Sequence, residues 1–452
     1  MKVHFIAIGG SAMHNLAIAL KLKGYDVTGS DDEIFEPARG RLKKYGILPD
    51  DEGWDISRIK TDLDAVILGM HAKQDNPELA LARELGLKIY SYPEYLYETS
   101  KDKIRVVIAG SHGKTTITSM ILHVLQIAGI KVDYMVGAQL DGFEVMVRLT
   151  NDAKYIILEG DEYLSSALDP RPKFHLYQPH IALLSGIAWD HMNVFPTFEN
   201  YVSQFEQFIN LIQPHGSLIY CSADPVVKRI SRKARKDIIL IPYGDLTYRM
   251  HDQKVYIISG EQEYPLMVFG RHNIQNIQGA WKVCRQMGVD DEIFLKAISS
   301  FSGASKRLQL LKKNADSSVY KDFAHSPSKL KATIEALKEL YPDRELIACL
   351  ELHTYSSLNK AFLPQYKGCM DSADRPIVYF SHHAIALKRL PELTADEVRT
   401  AFSDKRLTIY NDSVKMQNDL LSMDYRHRNL LLMSSGNFDG LNLEELAGKV
   451  VS

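Results

Sequence analysis

Residues 109–116 read AGSHGKTT, directly after the apolar run Ile104-Arg105-Val106-Val107-Ile108 and directly before the helix-like stretch 117–127. A strand, a glycine-rich turn carrying Lys then Thr, and a helix together make a cradle for a nucleotide triphosphate. Backbone N–H groups of the turn and the positive end of the helix dipole face the phosphates. In such a loop Gly110, Ser111, His112, Gly113 and Thr116 supply backbone, Lys114 adds a point charge, and the Thr115 hydroxyl ligates the accompanying Mg²⁺. The common pattern is G-x-x-x-x-G-K-[ST]. Here only two residues separate Gly110 from Gly113. The loop is a shortened variant.

Outward from this stretch, apolar runs alternate with amphipathic ones along the whole chain. Strands are expected at Val3–Ile8, Asp26–Thr28, Ala65–Leu68 and Lys88–Tyr90, with helices near 12–23, 38–45 and 77–85. The polar stretch 99–103 reads as a linker. Further strands are expected at 104–108, 132–136, 155–158, 181–184, 217–220 and 238–241, and a hairpin-like alternation at 254–268. Helical spacing of Phe198, Tyr201, Val202, Phe205 and Phe208 marks a core-facing helix rather than a base-stacking platform. A second boundary falls at 301–305. Beyond it, strands near 318–322, 345–350, 376–380, 407–410 and 429–433 flank helices, the clearest at 328–340. Strand–helix alternation predicts parallel sheets with right-handed crossovers. The expectation is three α/β domains, at 1–102, 103–303 and 304–452.

Composition narrows the function classes. At 452 residues and 45% hydrophobic content the chain can build substantial cores. Its formal net charge of −2 supplies no global field towards nucleic acid or anionic membrane, so neither is expected as a partner. The four cysteines are scattered with no C-x-x-C pair, which fits a reducing cytoplasm and argues against a metal or disulfide framework. No stretch approaches the roughly 18 apolar residues of a membrane span.

Other candidate residues sit at strand ends, where sheets of this class bind ligands. Gly9-Gly10-Ser11-Ala12-Met13 follows the first strand and opens a helix, so a diphosphate could rest on it, and Asp31 ends the second strand where a ribose-binding acid would sit. The run 155–158 ends in Glu159-Gly160-Asp161-Glu162. Glu159 is the expected Mg²⁺ carboxylate; Asp161 and Glu162 read as a solvated turn. His191 follows the 181–184 run, Arg307 the second boundary, and Asp322 to Pro327 the next strand.

In this order the pieces resemble the Mur ligases, the ATP-dependent amino-acid ligases of peptidoglycan precursor synthesis. The carriers are Gly9-Gly10-Ser11, GSHGKTT at 110–116, LEGDE at 158–162, WDHMNVFP at 189–196, GRHN at 270–273, FSGASKRLQ at 301–309 and DFAHSP at 322–327. The resemblance implies an N-terminal Rossmann-like domain, a central P-loop ATPase domain and a C-terminal Rossmann-like α/β domain. It implies ATP phosphates on Lys114 and the loop amides, and Mg²⁺ on Thr115, Glu159 and His191. It further implies His272, Asn273 and Asn276 on the adenine side, Arg307 and Asp322 closing over phosphates and ribose, and the Gly9–Met13 loop with Asp31 and His325 at the UDP-sugar substrate. The same resemblance implies a cytoplasmic monomer or weak homodimer.

Two branches of that family act on UDP-N-acetylmuramate: one adds L-alanine, the other a murein tripeptide during recycling. VTGSD at 27–31 and EGDEYLSSALDPRPKFHLYQP at 159–179 look more like the recycling branch, as does DFAHSP. LELHTY at 350–355 looks closer to the alanine-adding branch, and Ser326 stands where family members usually carry a second histidine. The expected amine is the tripeptide, with L-alanine as the alternative.

Overall fold

A computed structural model describes residues 1–70, 72–140, 142–190, 192, 194–303 and 308–451. The chain resolves into two compact units. The first comprises Met1–Ile187, Glu199–Gly244 and Ile277–Ala297; the second comprises Ala188–Phe198, Asp245–Asn276 and Ile298–Ser452.

The first unit carries two sheets. One is four-stranded and fully parallel, in spatial order Asp26–Ser30, Lys2–Ile6, Ala65–Leu68, Ile89–Ser91. Its first strand ends two residues earlier than the apolar run suggests. Ala7 turns into the left-handed region (φ 67°), which starts the turn into helix Ser11–Leu22. The second sheet is seven-stranded, in order Ile239–Tyr243, Ser217–Cys221, Ile181–Leu184, Ile104–Ala109, Tyr155–Gly160, Val132–Met135, Val147–Arg148. Only the last pair is antiparallel. The strand feeding the AGSHGKTT loop is central, and Ala109 aligns with Gly160 on one side and Leu184 on the other. Three strand exits are thereby brought to one edge.

Segments of the two sheets also meet. Asn15 Oδ1, on the first helix, accepts from Met146 N at 3.1 Å. Arg41 Nη2 donates to the Glu144 carbonyl at 2.6 Å, and Lys44 pairs with the Glu144 carboxylate.

The second unit holds a six-stranded sheet in order Gln309–Lys313, Ser318–Asp322, Arg428–Met433, Glu345–Leu352, Arg375–Phe380, Thr408–Tyr410, parallel except for its first pair. Both faces are covered: Ala348 and Leu350 enter one apolar cluster, and Ile347 and Cys349 the other. Runs that are apolar on both faces are what buried parallel strands require. The 254–268 hairpin is present as Lys254–Ser259 and Gln262–Leu266, with Tyr248–His251 added as a third antiparallel strand. That strand alternates Tyr248 and Met250 with the exposed Arg249 and His251 but runs for only four residues, too few to stand out in the sequence. Among the described residues no helix is long and apolar enough to cross a membrane.

Candidate functional site

The loop after Ala109 is shaped by two glycines. Gly110 takes φ 129°, and a Cβ there would collide with Ser185 Oγ on the neighbouring strand exit. Gly113 takes φ 79° and caps helix Lys114–Ile127. The first intrahelical bond is Ile117 N–H to Gly113 O at 2.8 Å. The N–H groups of Lys114, Thr115 and Thr116 therefore emerge from the helix end, as an anion site requires. Ser111 N donates to Gly186 O at 2.9 Å, tying the loop to the exit of Ile181–Leu184.

The side chains converge as the loop dictates. Lys114 Nζ donates to Gly110 O at 2.7 Å and to Glu162 Oε2 at 2.6 Å. Burial opposes the Lys114 charge, but Glu162, Asp161 and Glu159 outweigh it and raise its pKa. Thr115 Oγ1 donates to Glu159 Oε1 at 2.7 Å, and Glu159 Oε2 accepts from Gly137 N at 2.8 Å. Burial pushes the Glu159 carboxyl upward, against the pull of the Gly137 N–H, the Thr115 hydroxyl and Lys114. Two cis ligands of an octahedral Mg²⁺ at about 2.1 Å lie about 2.9 Å apart. Thr115 Oγ1 and Glu159 Oε1, both hard oxygens at 2.7 Å, fit that spacing. Among the described residues there is no cluster of three or more His, Cys, Asp or Glu that could hold a metal.

Glu162 corrects an expectation. It is no solvated turn: its side chain is 1% exposed and is paired with Lys114. The Tyr201 hydroxyl lies 2.9 Å from Glu162 Oε1 and 2.9 Å from Ser111 Oγ. Tyr201 belongs to the aromatic stripe, which is core as expected, with Tyr201, Phe205 and Phe208 fully buried. Asp161 pairs with Lys173 at 2.6 Å, closing the 161–173 segment on itself. The one sequence signal for Glu162 was its place two residues beyond the strand end, which does not distinguish a buried partner from an exposed turn.

At the first sheet, Gly9 N donates to Asp31 Oδ2 at 2.7 Å, so Asp31 braces the Gly9–Met13 turn from beneath. Gly10 is half-buried and Ser11 and Ala12 are exposed at the helix start, whereas the Met13 side chain is buried in the core. Only the Met13 backbone can serve a ligand. Burial, with a smaller push from Asp32, carries the Asp31 carboxyl up to about 6. Because its pKa is raised, Asp31 takes up its proton as pH falls through about 6. That removes a negative charge from beside the loop where a diphosphate would rest. Affinity for a diphosphate ligand at this turn, followed by calorimetry from pH 7.5 to 5.5, should rise several-fold, and Asp31→Asn should flatten the profile. A slope that survives in Asp31→Asn would assign it elsewhere.

In the second unit, His272 and Asn276 share one face of helix Arg271–Gln286, and Asn273 Nδ2 donates to Phe269 O at 2.9 Å. Asp322 is buried, its carboxylate accepting from Leu308 N, from Ala324 N at 2.7 Å and from Thr333 Oγ1 at 3.4 Å. In this arrangement it anchors its own strand end. His325 Nδ1 lies 2.9 Å from Phe323 O, two residues before the helix that starts at Pro327. His191 and Arg307 lie outside the described residues.

A phosphate-loop helix backed by buried carboxylates, on an α/β framework of parallel sheets, defines a nucleotide-using enzyme. Residues 2–103 match the family model described as Mur ligase family, catalytic domain, and residues 108–284 match the Mur ligase middle domain. A UDP-N-acetylmuramate–L-alanine ligase of Caldanaerobacter subterraneus subsp. tengcongensis is 32% identical over 398 residues, 83% of this chain and 82% of that protein. The crystal structure of the UDP-N-acetylmuramate:L-alanyl-gamma-D-glutamyl-meso-diaminopimelate ligase from Neisseria meningitidis is 25% identical, covering 66% of this chain and 98% of that one, with a TM-score of 0.59. A murein peptide ligase from Psychrobacter arcticus 273-4 superposes over 100% of this chain and 99% of its own at a TM-score of 0.65 and 22% identity. The chain belongs to the Mur ligase family and is an ATP-dependent, amide-bond-forming ligase.

Proposed function

We propose that the chain joins the lactyl carboxylate of UDP-N-acetylmuramate to the amine of the tripeptide L-Ala-γ-D-Glu-meso-diaminopimelate, in the cytoplasm, as a step of peptidoglycan recycling. The observation that carries the choice of amine is the stretch 159–179. It resembles the recycling branch and folds as a compact segment beside the phosphate loop, closed by the Asp161–Lys173 pair and the Leu164–Pro172 bridge. The 25% identity to the Neisseria enzyme supports the same reading. L-Alanine is the second reading, favoured by the curated relatives at 30–32% identity, which are L-alanine ligases.

In this reading the sugar carboxylate attacks the γ-phosphoryl of ATP, giving ADP and an acyl phosphate. The amine then attacks the acyl carbon and phosphate leaves. Phosphorylation is needed because a carboxylate has only oxide as a leaving group. Lys114 and the N–H groups of Lys114, Thr115 and Thr116 would hold phosphate oxygens in line, and positioning supplies much of the rest. Mg²⁺ on Thr115 and Glu159, with His191, would neutralise charge on the transferring group. The Gly9–Met13 turn would hold the UDP diphosphate. His272, Asn273 and Asn276 would face the base, and Arg307 and Asp322 the phosphates and ribose, with boundaries at 1–102, 103–303 and 304–452. For the amine, the C-terminal edge of strand Glu345–Leu352 offers Glu351, held by Phe438 N at 2.8 Å and by the Ser434 hydroxyl, with His353 Nδ1 at 3.5 Å.

ADP release with UDP-N-acetylmuramate plus either tripeptide or free L-alanine separates the two readings. The tripeptide is expected to support turnover at a kcat/KM at least about 100-fold above that of alanine, since protein groups that would pair with its carboxylates are left unpaired when alanine binds. Turnover with alanine alone makes the second reading correct.

A further inference from the structure

Lys114 Nζ has three N–H groups, and two are engaged, by Gly110 O at 2.7 Å and by Glu162 Oε2 at 2.6 Å. Phosphates entering the loop draw on the same ammonium. Glu162 has little freedom to withdraw. Its side chain is 1% exposed, and its other oxygen, Oε1, lies 2.9 Å from the Tyr201 hydroxyl. Tyr201 is itself wedged against Phe205, with ring centroids 5.2 Å apart, and comes from helix Phe198–Asn210 rather than from the loop. The same hydroxyl reaches Ser111 Oγ, so one buried phenol touches both the loop and the carboxylate beneath it. The arrangement keeps an anion fixed beside the cation on which the phosphates depend.

A carboxylate held there weakens the pull of Lys114 on a phosphate, and it stands ready to take the ammonium back when a nucleotide leaves. The geometry points to Glu162, oriented by Tyr201, as a positioning residue that limits the loop's grip on nucleotide and so speeds release of ADP. This rests on Lys114 being the phosphate-binding lysine. Even under water-like screening one unit charge a few ångströms from the phosphates is worth about tenfold in affinity. The sign is the useful part: a merely structural Glu162 would weaken binding when altered, whereas a counter-charge strengthens it.

The test uses a fluorescent N-methylanthraniloyl-ADP with the full chain, read at equilibrium and by stopped-flow dissociation. Glu162→Gln keeps the hydrogen-bonding shape and removes the charge. It should bind ADP about tenfold more tightly, with slower dissociation and a lower KM for ATP. Tyr201→Phe frees the carboxylate to turn from Lys114 and should shift both quantities the same way, by about two- to threefold. Glu162→Asp should return the dissociation rate towards wild type. Weaker or unchanged ADP binding in Glu162→Gln, with Lys114→Ala still losing ADP, overturns the proposal. Wild-type ADP binding in Lys114→Ala overturns the phosphate-loop reading instead. If Glu162→Gln does not fold, Tyr201→Phe decides: unchanged or faster ADP dissociation in it overturns the proposal.

Discussion

Replacing Lys114 by alanine is expected to lower ADP release by on the order of 10³-fold or more in kcat, while leaving binding of the proposed UDP-N-acetylmuramate substrate in place. The lysine is the one side-chain cation that the described loop presents, and it emerges where the helix N-terminus already concentrates positive potential. Phosphoryl transfer depends on positioning and charge neutralisation, so losing such a cation weakens both the hold on nucleotide and the chemical step. The sugar nucleotide, expected on the Gly9–Met13 turn, draws on none of this. The substitution also strands Glu162, whose buried carboxylate loses its partner. Breaking such a pair costs about 3–5 kcal/mol of stability. The double variant Lys114→Met with Glu162→Gln removes both charges and should recover most of that loss while remaining inactive. Turnover near wild type in either variant would end the assignment of the loop.

Glu159→Ala comes next in size. It removes a charged oxygen from the Thr115–Glu159 pair, and the Mg²⁺ concentration giving half-maximal activity should rise about 10- to 100-fold. Glu159 also accepts the Gly137 N–H, so alanine leaves that donor unanswered. Glu159→Gln keeps an acceptor and isolates the effect of charge. Burial raises the Glu159 carboxyl and a cation favours its ionised form, so apparent Mg²⁺ affinity should improve as pH rises. A Mg²⁺ titration that does not move in Glu159→Gln removes this residue from the metal site.

Much of the framework could be read from residue order. The loop strand, both glycines and Lys114 are local features, and glycine spacing alone demands the left-handed turns seen at Gly110 and Gly113. Strands rich in Val, Ile and Leu were legible for the same reason, as at 104–109, 181–184 and 428–433. What escaped was tertiary in origin. Glu162 sits in a polar tetrapeptide whose burial depends on Tyr201, 39 residues away. Asp31, expected to meet a ribose, is engaged by its own loop because the turn at Ala7 brings Gly9 N onto it. Strands 147–148 and 309–313 are short or charged edge strands, which carry no burial period to detect. Resemblance supplied the roles of His272, Asn273 and Asn276, which no spacing rule would have picked.

The contacts Asn15–Met146, Arg41–Glu144 and Lys44–Glu144 have a practical corollary for modularity. Cutting the chain after residue 102 would orphan the buried Asn15 amide oxygen and expose a basic flank built to meet a particular acidic segment. The first hundred residues are therefore not a freely portable module. A chimera that grafts the first hundred residues onto a relative's remainder must carry 139–148 with it.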